Sequence, residues 1–294
     1  MSAHVTTIDF HVTSECSQSC PYCWGPQDFE HPADTESALR IIERVRAVGA
    51  KRIVFTGGDP LKRSDIGTLV QHAKEIGLEV ALSTTGDELT EAFLDEYGPY
   101  IDLISLPLDG PTEEISARTK EQGHFAAVMR ALRLLRKHPE IDVKVCTPVT
   151  RHNLGAVPAV VRLVECYAQT TKARVFYNIF QAFPRAMFPA EWDLLLVTDE
   201  EFADLENRLT RQRTIRVNFL SHKTLDRLYV MVFPDGSLVV PSGPDFLTLG
   251  PFLEIDDLDA ALEASPFDAA KHLRHSKGWS KVCLLYTSPS PRDS

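Results

Sequence analysis

Short β-branched runs alternate with amphipathic ones from the N-terminus to about residue 180, and this alternation narrows the possible folds more than any other feature of the chain. The extended runs fall at residues 6–13, 52–56, 79–83, 101–108, 142–149 and 174–180. The helical runs between them fall at residues 35–48, 61–76, 88–97, 123–137 and 157–167, the first with Leu39, Ile41, Ile42, Val45 and Val48 as its apolar stripe. Strands separated by helices are joined by crossovers, which make neighbouring strands parallel and put the helices outside the sheet. The expectation is an α/β fold whose six strands close, fully or partly, into a barrel spanning residues 1–182. A chain of 294 residues, 44% hydrophobic, has material for such a core.

The pattern changes after Phe183. A proline- and aromatic-rich loop (183–192) leads to a charged helix (199–211) and a strand (215–219). A hairpin follows, with strands at 229–233 and 237–240 turned by Pro234-Asp235-Gly236, and then helical pieces at 258–264 and 267–275. Residues 183–282 are read as an α+β cap over the open barrel. Residues 283–294 differ in composition from the rest and are similar to translated sequencing-adapter DNA; they are read as a disordered tail foreign to the native protein beyond about Val282.

Cys16, Cys20 and Cys23 stand within eight residues directly after the first strand. Iron–sulfur clusters are held by cysteines at such short spacings, usually four of them. The next cysteine is Cys146, so a [4Fe–4S] cluster held here would keep one iron without a protein ligand, and an open metal position is a place for chemistry. The competing reading is a non-catalytic protein with zinc or iron at these thiols, His11 reaching back from the strand as a fourth ligand. Cys146 and Cys166 read as small buried hydrophobes, and this cysteine usage fits a reducing, cytoplasmic compartment. A net charge of −10 opposes binding to nucleic acid, and no apolar stretch is long enough to span a bilayer.

The motif, with Tyr22 before its last cysteine, resembles the CxxxCxxC signature of the radical S-adenosylmethionine (SAM) superfamily. The resemblance implies a partial (β/α)6 TIM-like barrel and two cofactors, a [4Fe–4S] cluster and SAM. It implies that the amino and carboxylate groups of SAM chelate the open iron, and that an electron from a donor such as flavodoxin or ferredoxin cleaves SAM to a 5′-deoxyadenosyl radical that abstracts a substrate hydrogen. Gly57-Gly58-Asp59-Pro60 is similar to the family's GGEP segment, whose backbone meets the SAM amino group; it also reads as an ordinary turn with Asp59 capping the next helix. Ser83 and Thr84 end the third strand, where hydroxyls would reach SAM. Ser105 to Asp109 resembles the family's SLDG segment, and Arg118 beyond it is the candidate partner of the SAM carboxylate. With Cys283 as its only cysteine, the C-terminal third has too few to carry the second cluster of many superfamily members.

Alternation on the fifth strand puts Lys144, Cys146 and Pro148 on one face. A lysine facing a barrel lumen points to an anionic small-molecule substrate, or to a carboxylate partner such as Asp109. Tyr177, Asn178 and Gln181 on the sixth strand, and Arg185 after it, are further polar groups at the strand ends. Within the superfamily the layout is similar to viperin-like enzymes, which dehydrate a nucleoside triphosphate. The points of likeness are Lys144 with Arg151 and Asn153, Phe180-Gln181, Asp199 to Phe202, and Gly278-Trp279-Ser280-Lys281. Trp24-Gly25 and Cys146 depart from that pattern. Lys144, Arg151, Asn153 and Tyr177 are the expected substrate-handling residues, with Arg185 and Lys281 as further cations at the barrel mouth.

Overall fold

The computed structural model describes residues 5–26, 29, 31–184, 192–209 and 215–277. Seven strands run parallel in chain order: β1 (Thr7–His11), β2 (Arg52–Thr56), β3 (Glu79–Ser83), β4 (Leu103–Pro107), β5 (Asp142–Val149), β6 (Val175–Gln181) and β7 (Arg216–Leu220). On the far side of β1 lie β8 (Met231–Val232), parallel to it, then β9 (Ser237–Ser242) and β10 (Asp245–Pro251), antiparallel. One sheet results, ordered β10-β9-β8-β1-β2-β3-β4-β5-β6-β7, with β10 and β7 at its two edges. This is the expected partial barrel, and the strands of the C-terminal third lengthen it at both edges.

The outer layer is α1 (Thr35–Ala47), α2 (Ile66–Glu75), α3 (Glu91–Tyr97), α4 (Glu113–Ser116), α5 (His124–Leu135) and α6 (Val157–Ala168). Beyond β6 come α7 (Trp192–Leu195), α8 (Asp199–Leu209), α9 (His222–Leu225), α10 (Leu258–Glu263) and α11 (Ala269–Lys277). Helix α1 starts where Asp34 accepts a hydrogen bond from the Ser37 amide (2.8 Å), and it buries Ala38, Ile41, Ile42 and Val45. The run expected as one helix over 61–76 is divided into a 3-10 turn (Pro60–Lys62) and α2. Arg63 causes the break: its backbone is extended, and its guanidinium pairs with Asp65 and donates to the carbonyls of Val12 (3.1 Å) and Ala33 (2.7 Å).

Strand alternation separates core from site. Ile8, Phe10, Ile53, Phe55, Val80, Leu82, Ile104, Leu106, Val143 and Val145 are fully buried between sheet and helices. The other face, with Asp9, His11, Thr56, Ser83, Ser105, Lys144 and Cys146, lines a lumen. Because the apolar packing lies outside the barrel, polar groups are left to face inward. Among the described residues no helix is long and apolar enough to cross a membrane.

Candidate active site

A cavity of about 390 Å³ runs from the cysteine loop down the lumen to α11. The three candidate thiols line its upper end together with Tyr22, Trp24 and Gly25. The loop is clasped by three strand ends. After β2, the Gly58 amide donates to the Thr13 carbonyl (2.8 Å) and the Asp59 amide to that of Glu15 (2.6 Å). A Cβ at Gly57 would stand 2.2 Å from the Thr13 carbonyl oxygen, and Gly57 has φ of +140°, so only glycine allows this approach. After β3, Asp87 accepts hydrogen bonds from Ser17, Gln18 (2.6 Å) and His124 (3.0 Å). Burial would raise the Asp87 pKa, but these bonds hold it well below the usual carboxylate range. After β4, the fully buried Asp109 accepts from the hydroxyls of Tyr22 and Thr119 (2.7 Å). Burial and the neighbouring Asp109 keep the Tyr22 phenol protonated, with its pKa well above the usual value.

Ten of the sixteen residues expected from sequence line this cavity: Cys16, Cys20, Tyr22, Cys23, Gly57, Gly58, Ser83, Thr84, Ser105 and Lys144. The other six do not. Asp59 and Asp109 stand behind the wall, where Asp59 caps Leu61 (3.1 Å) and accepts from Thr84 (2.7 Å) and Thr85. The hydroxyl of Thr84 is therefore already committed to Asp59. Asn153, buried, donates to the carbonyls of Asp109 (2.9 Å) and Pro148 (2.8 Å), which makes it a brace between two loops. Tyr177 lies in register with Val145, on the helix side of the sheet, and its hydroxyl bonds Thr147 (2.8 Å) in the core. Arg118 is exposed, paired with Glu114 (3.5 Å) and the His152 carbonyl (3.4 Å). Arg151 is exposed and pairs with Glu201 (3.1 Å). Arg185, Lys281 and the Gly278 to Lys281 stretch lie outside the described residues.

Sequence reading missed Lys120, Asp9 and Arg52. Lys120, half-buried in the cavity wall, donates to the Cys20 thiol (3.1 Å) and lies 5.6 Å from the centre of the Tyr22 ring. Asp9 and Arg52 sit deeper, at the barrel floor near Lys144. Burial pushes Asp9 up to about 7, against the opposing pull of Lys144 and Arg52. Period-2 alternation from the buried Ile8 and Phe10 carries the signal for Asp9, whereas nothing local distinguishes Lys120 from Arg118.

The residue types fit an iron–sulfur cluster and SAM: three thiols line one cavity, backed by glycine backbone that a side chain would displace, although among the described residues no three metal-ligating side chains already stand together as a preformed metal site. At Gly25, a Cβ would lie 3.7 Å from the Cys23 sulfur and 2.7 Å from the Gly57 oxygen. Burial raises Cys16 to about 11, so ligation there would release a proton.

A sequence profile of the Radical SAM superfamily matches residues 10–163, just over half of the chain. An S-adenosylmethionine-dependent nucleotide dehydratase of Lacinutrix mariniflava is 24% identical over 285 residues, covering 92% of this chain and 57% of the relative. A protein of the same name from Flammeovirga pacifica is 24% identical, covering 85% and 88%. An AdoMet-dependent heme synthase of Oleidesulfovibrio alaskensis is 28% identical, covering 68% and 51%. The chain thus spans little more than half the length of two of these relatives. In fold it is similar to Streptococcus suis SuiB bound to S-adenosylmethionine (TM-score 0.69, 13% identity, covering 92% of this chain and 68% of that one). It is also similar to anSMEcpe with bound AdoMet (TM-score 0.65, 16% identity, covering 92% and 82%).

Proposed function

The chain belongs to the radical SAM superfamily, and from that premise we propose that it acts on a small, anionic, nucleotide-like substrate held in the lumen by Lys144. Membership implies an enzyme that carries a [4Fe–4S] cluster and SAM. Bound together, the two groups supply reductive cleavage of SAM and hydrogen abstraction, with the electron coming from a donor such as a flavodoxin or ferredoxin. Cys16, Cys20 and Cys23 are assigned to the cluster. The backbone of Gly57-Gly58 and the hydroxyls of Ser83 and Ser105 are assigned to SAM. Lys120, which faces the cavity beside Cys20 where Arg118 does not, takes over the carboxylate role.

The substrate reading rests on one observation: the Lys144 amine stands on the lumen face of β5, in the same cavity as the three thiols. A cation in a barrel lumen is suited to drawing an anion into the cavity, and the neighbouring Asp9 carboxyl is raised by burial to about 7 against the pull of Lys144 and Arg52. Two relatives named as nucleotide dehydratases support a nucleotide as that anion, and dehydration as the outcome. The test is an anaerobic assay of 5′-deoxyadenosine formation with each of the four ribonucleoside triphosphates, cytidine triphosphate first. One of them is expected to stimulate cleavage, and Lys144→Ala to abolish the stimulation. If no triphosphate raises 5′-deoxyadenosine above background, the nucleotide reading is wrong.

A further inference from the structure

We propose that His11 contacts the substrate, its imidazole hydrogen-bonding a hydroxyl group of the ligand in the lumen. His11 ends β1, on the inward face shared with Asp9, in register with Thr56 just before the Gly57-Gly58 cradle. The side chain is 5% exposed and lines the cavity. Its ring meets Phe233 edge-on, with centroids 5.3 Å apart, which fixes its orientation. Among the described residues its buried Nδ1 has no hydrogen-bond partner. Native proteins seldom leave such an atom unpaired, and a phenylalanine would pack against Phe233 equally well without the unpaired nitrogen. A histidine is therefore explained by the cavity it faces.

The protonation state narrows the ligand. Burial lowers His11 to about 3, so the ring is neutral, with one nitrogen a donor and the other an acceptor. A hydroxyl group donates and accepts, and so matches either tautomer, whereas a phosphate or carboxylate oxygen offers acceptors alone. With Lys144 lining the same cavity for the anionic part, the lumen fits a hydroxylated anion of the sugar-phosphate class. This inference rests on the anionic-substrate reading given above.

The test compares two probes, ribose 5-phosphate and inorganic phosphate, titrated calorimetrically into anaerobic, cluster-loaded enzyme with SAM present. The parent is expected to bind ribose 5-phosphate more tightly than phosphate. His11→Phe is expected to lose that margin by about five- to tenfold, the loss of one neutral hydrogen bond. His11→Gln, which keeps a donor and an acceptor, should recover part of it, and His11→Leu serves if the Phe variant fails to fold. An undiminished margin in both apolar variants would return His11 to a packing role. In that case, loss of both probes in Lys144→Ala would leave the anionic reading standing. A parent that binds neither probe overturns both ideas together.

Discussion

At the scale of single residues, the exchange between Arg118 and Lys120 carries the most information. The two are neighbours on one turn after α4, yet Arg118 points to solvent and Lys120 into the cavity wall. Lys120→Ala is expected to weaken SAM binding by about 1.5–3 kcal/mol, the range for hydrogen bonds to charged groups, while Arg118→Ala leaves it unchanged. Titration of SAM into the two reconstituted variants decides between them, and equal losses would sink the distinction. From sequence Arg118 was named and Lys120 was missed, because α4 is four residues long and the irregular turn after it gives no period from which to read a direction. Tyr177 is the opposite case: alternation along β6, not applied in reading the sequence, puts it on the face opposite Asn178, and the structure shows that face to be the core side.

At the scale of elements, the βα turn after β2 carries the strongest constraint. Any side chain at Gly57 meets the Thr13 carbonyl, a backbone atom that cannot move without displacing the cysteine loop. Gly57→Ala is expected to destabilise the fold by about 2 kcal/mol or more and to lower iron content after reconstitution. Gly155→Ala, at a site with no heavy atom within 4 Å of the new Cβ, serves as the control and should change stability by no more than about 0.5 kcal/mol. Denaturant titration with iron assay reads both effects. Most elements were legible because their periodicity is clean: β5 spans Asp142–Val149, as expected. Strand β10 was not, because Asp245–Pro251 is largely exposed and ends in Gly-Pro, and it pairs with β9 across an irregularity between Thr248 and Gly250. Such an edge strand is held by its partner's backbone rather than by an apolar face.

At the scale of the whole molecule, α11 closes the barrel floor through His272. Its Nε2 accepts from the amides of Thr6 (3.0 Å) and Thr7 (3.3 Å), so its Nδ1 carries the proton and donates to the Leu228 carbonyl (3.0 Å). One side chain thereby joins the start of β1, the segment before β8, and the C-terminal helix. His272→Ala leaves those backbone groups without this partner and is expected to cost about 2 kcal/mol at pH 7.5. Burial holds the His272 pKa below its unfolded value, so the neutral ring's contribution is present above about pH 6.5 and is lost as pH falls through the folded value. The gap between parent and variant should therefore narrow on acidification, as denaturant titrations at pH 7.5 and pH 5.5 would show. A constant gap would mean that His272 acts by packing alone.

The sequence by itself determined the α/β alternation, the position of the three-cysteine loop after the first strand, and the inward face of β5, since each follows from local spacing. Tertiary structure alone decided the rest. The carboxylates of Asp87 and Asp109 hold the cysteine loop across 69 and 87 residues of chain, and no local pattern encodes such pairings. Likewise β8 joins β1 rather than the strand preceding it in sequence, because the open edge of β1 presents unpaired backbone groups that must be satisfied. The polar floor formed by Asp9, Arg52, Lys144 and α11 exists only because strands far apart in sequence turn the same alternate face toward one lumen.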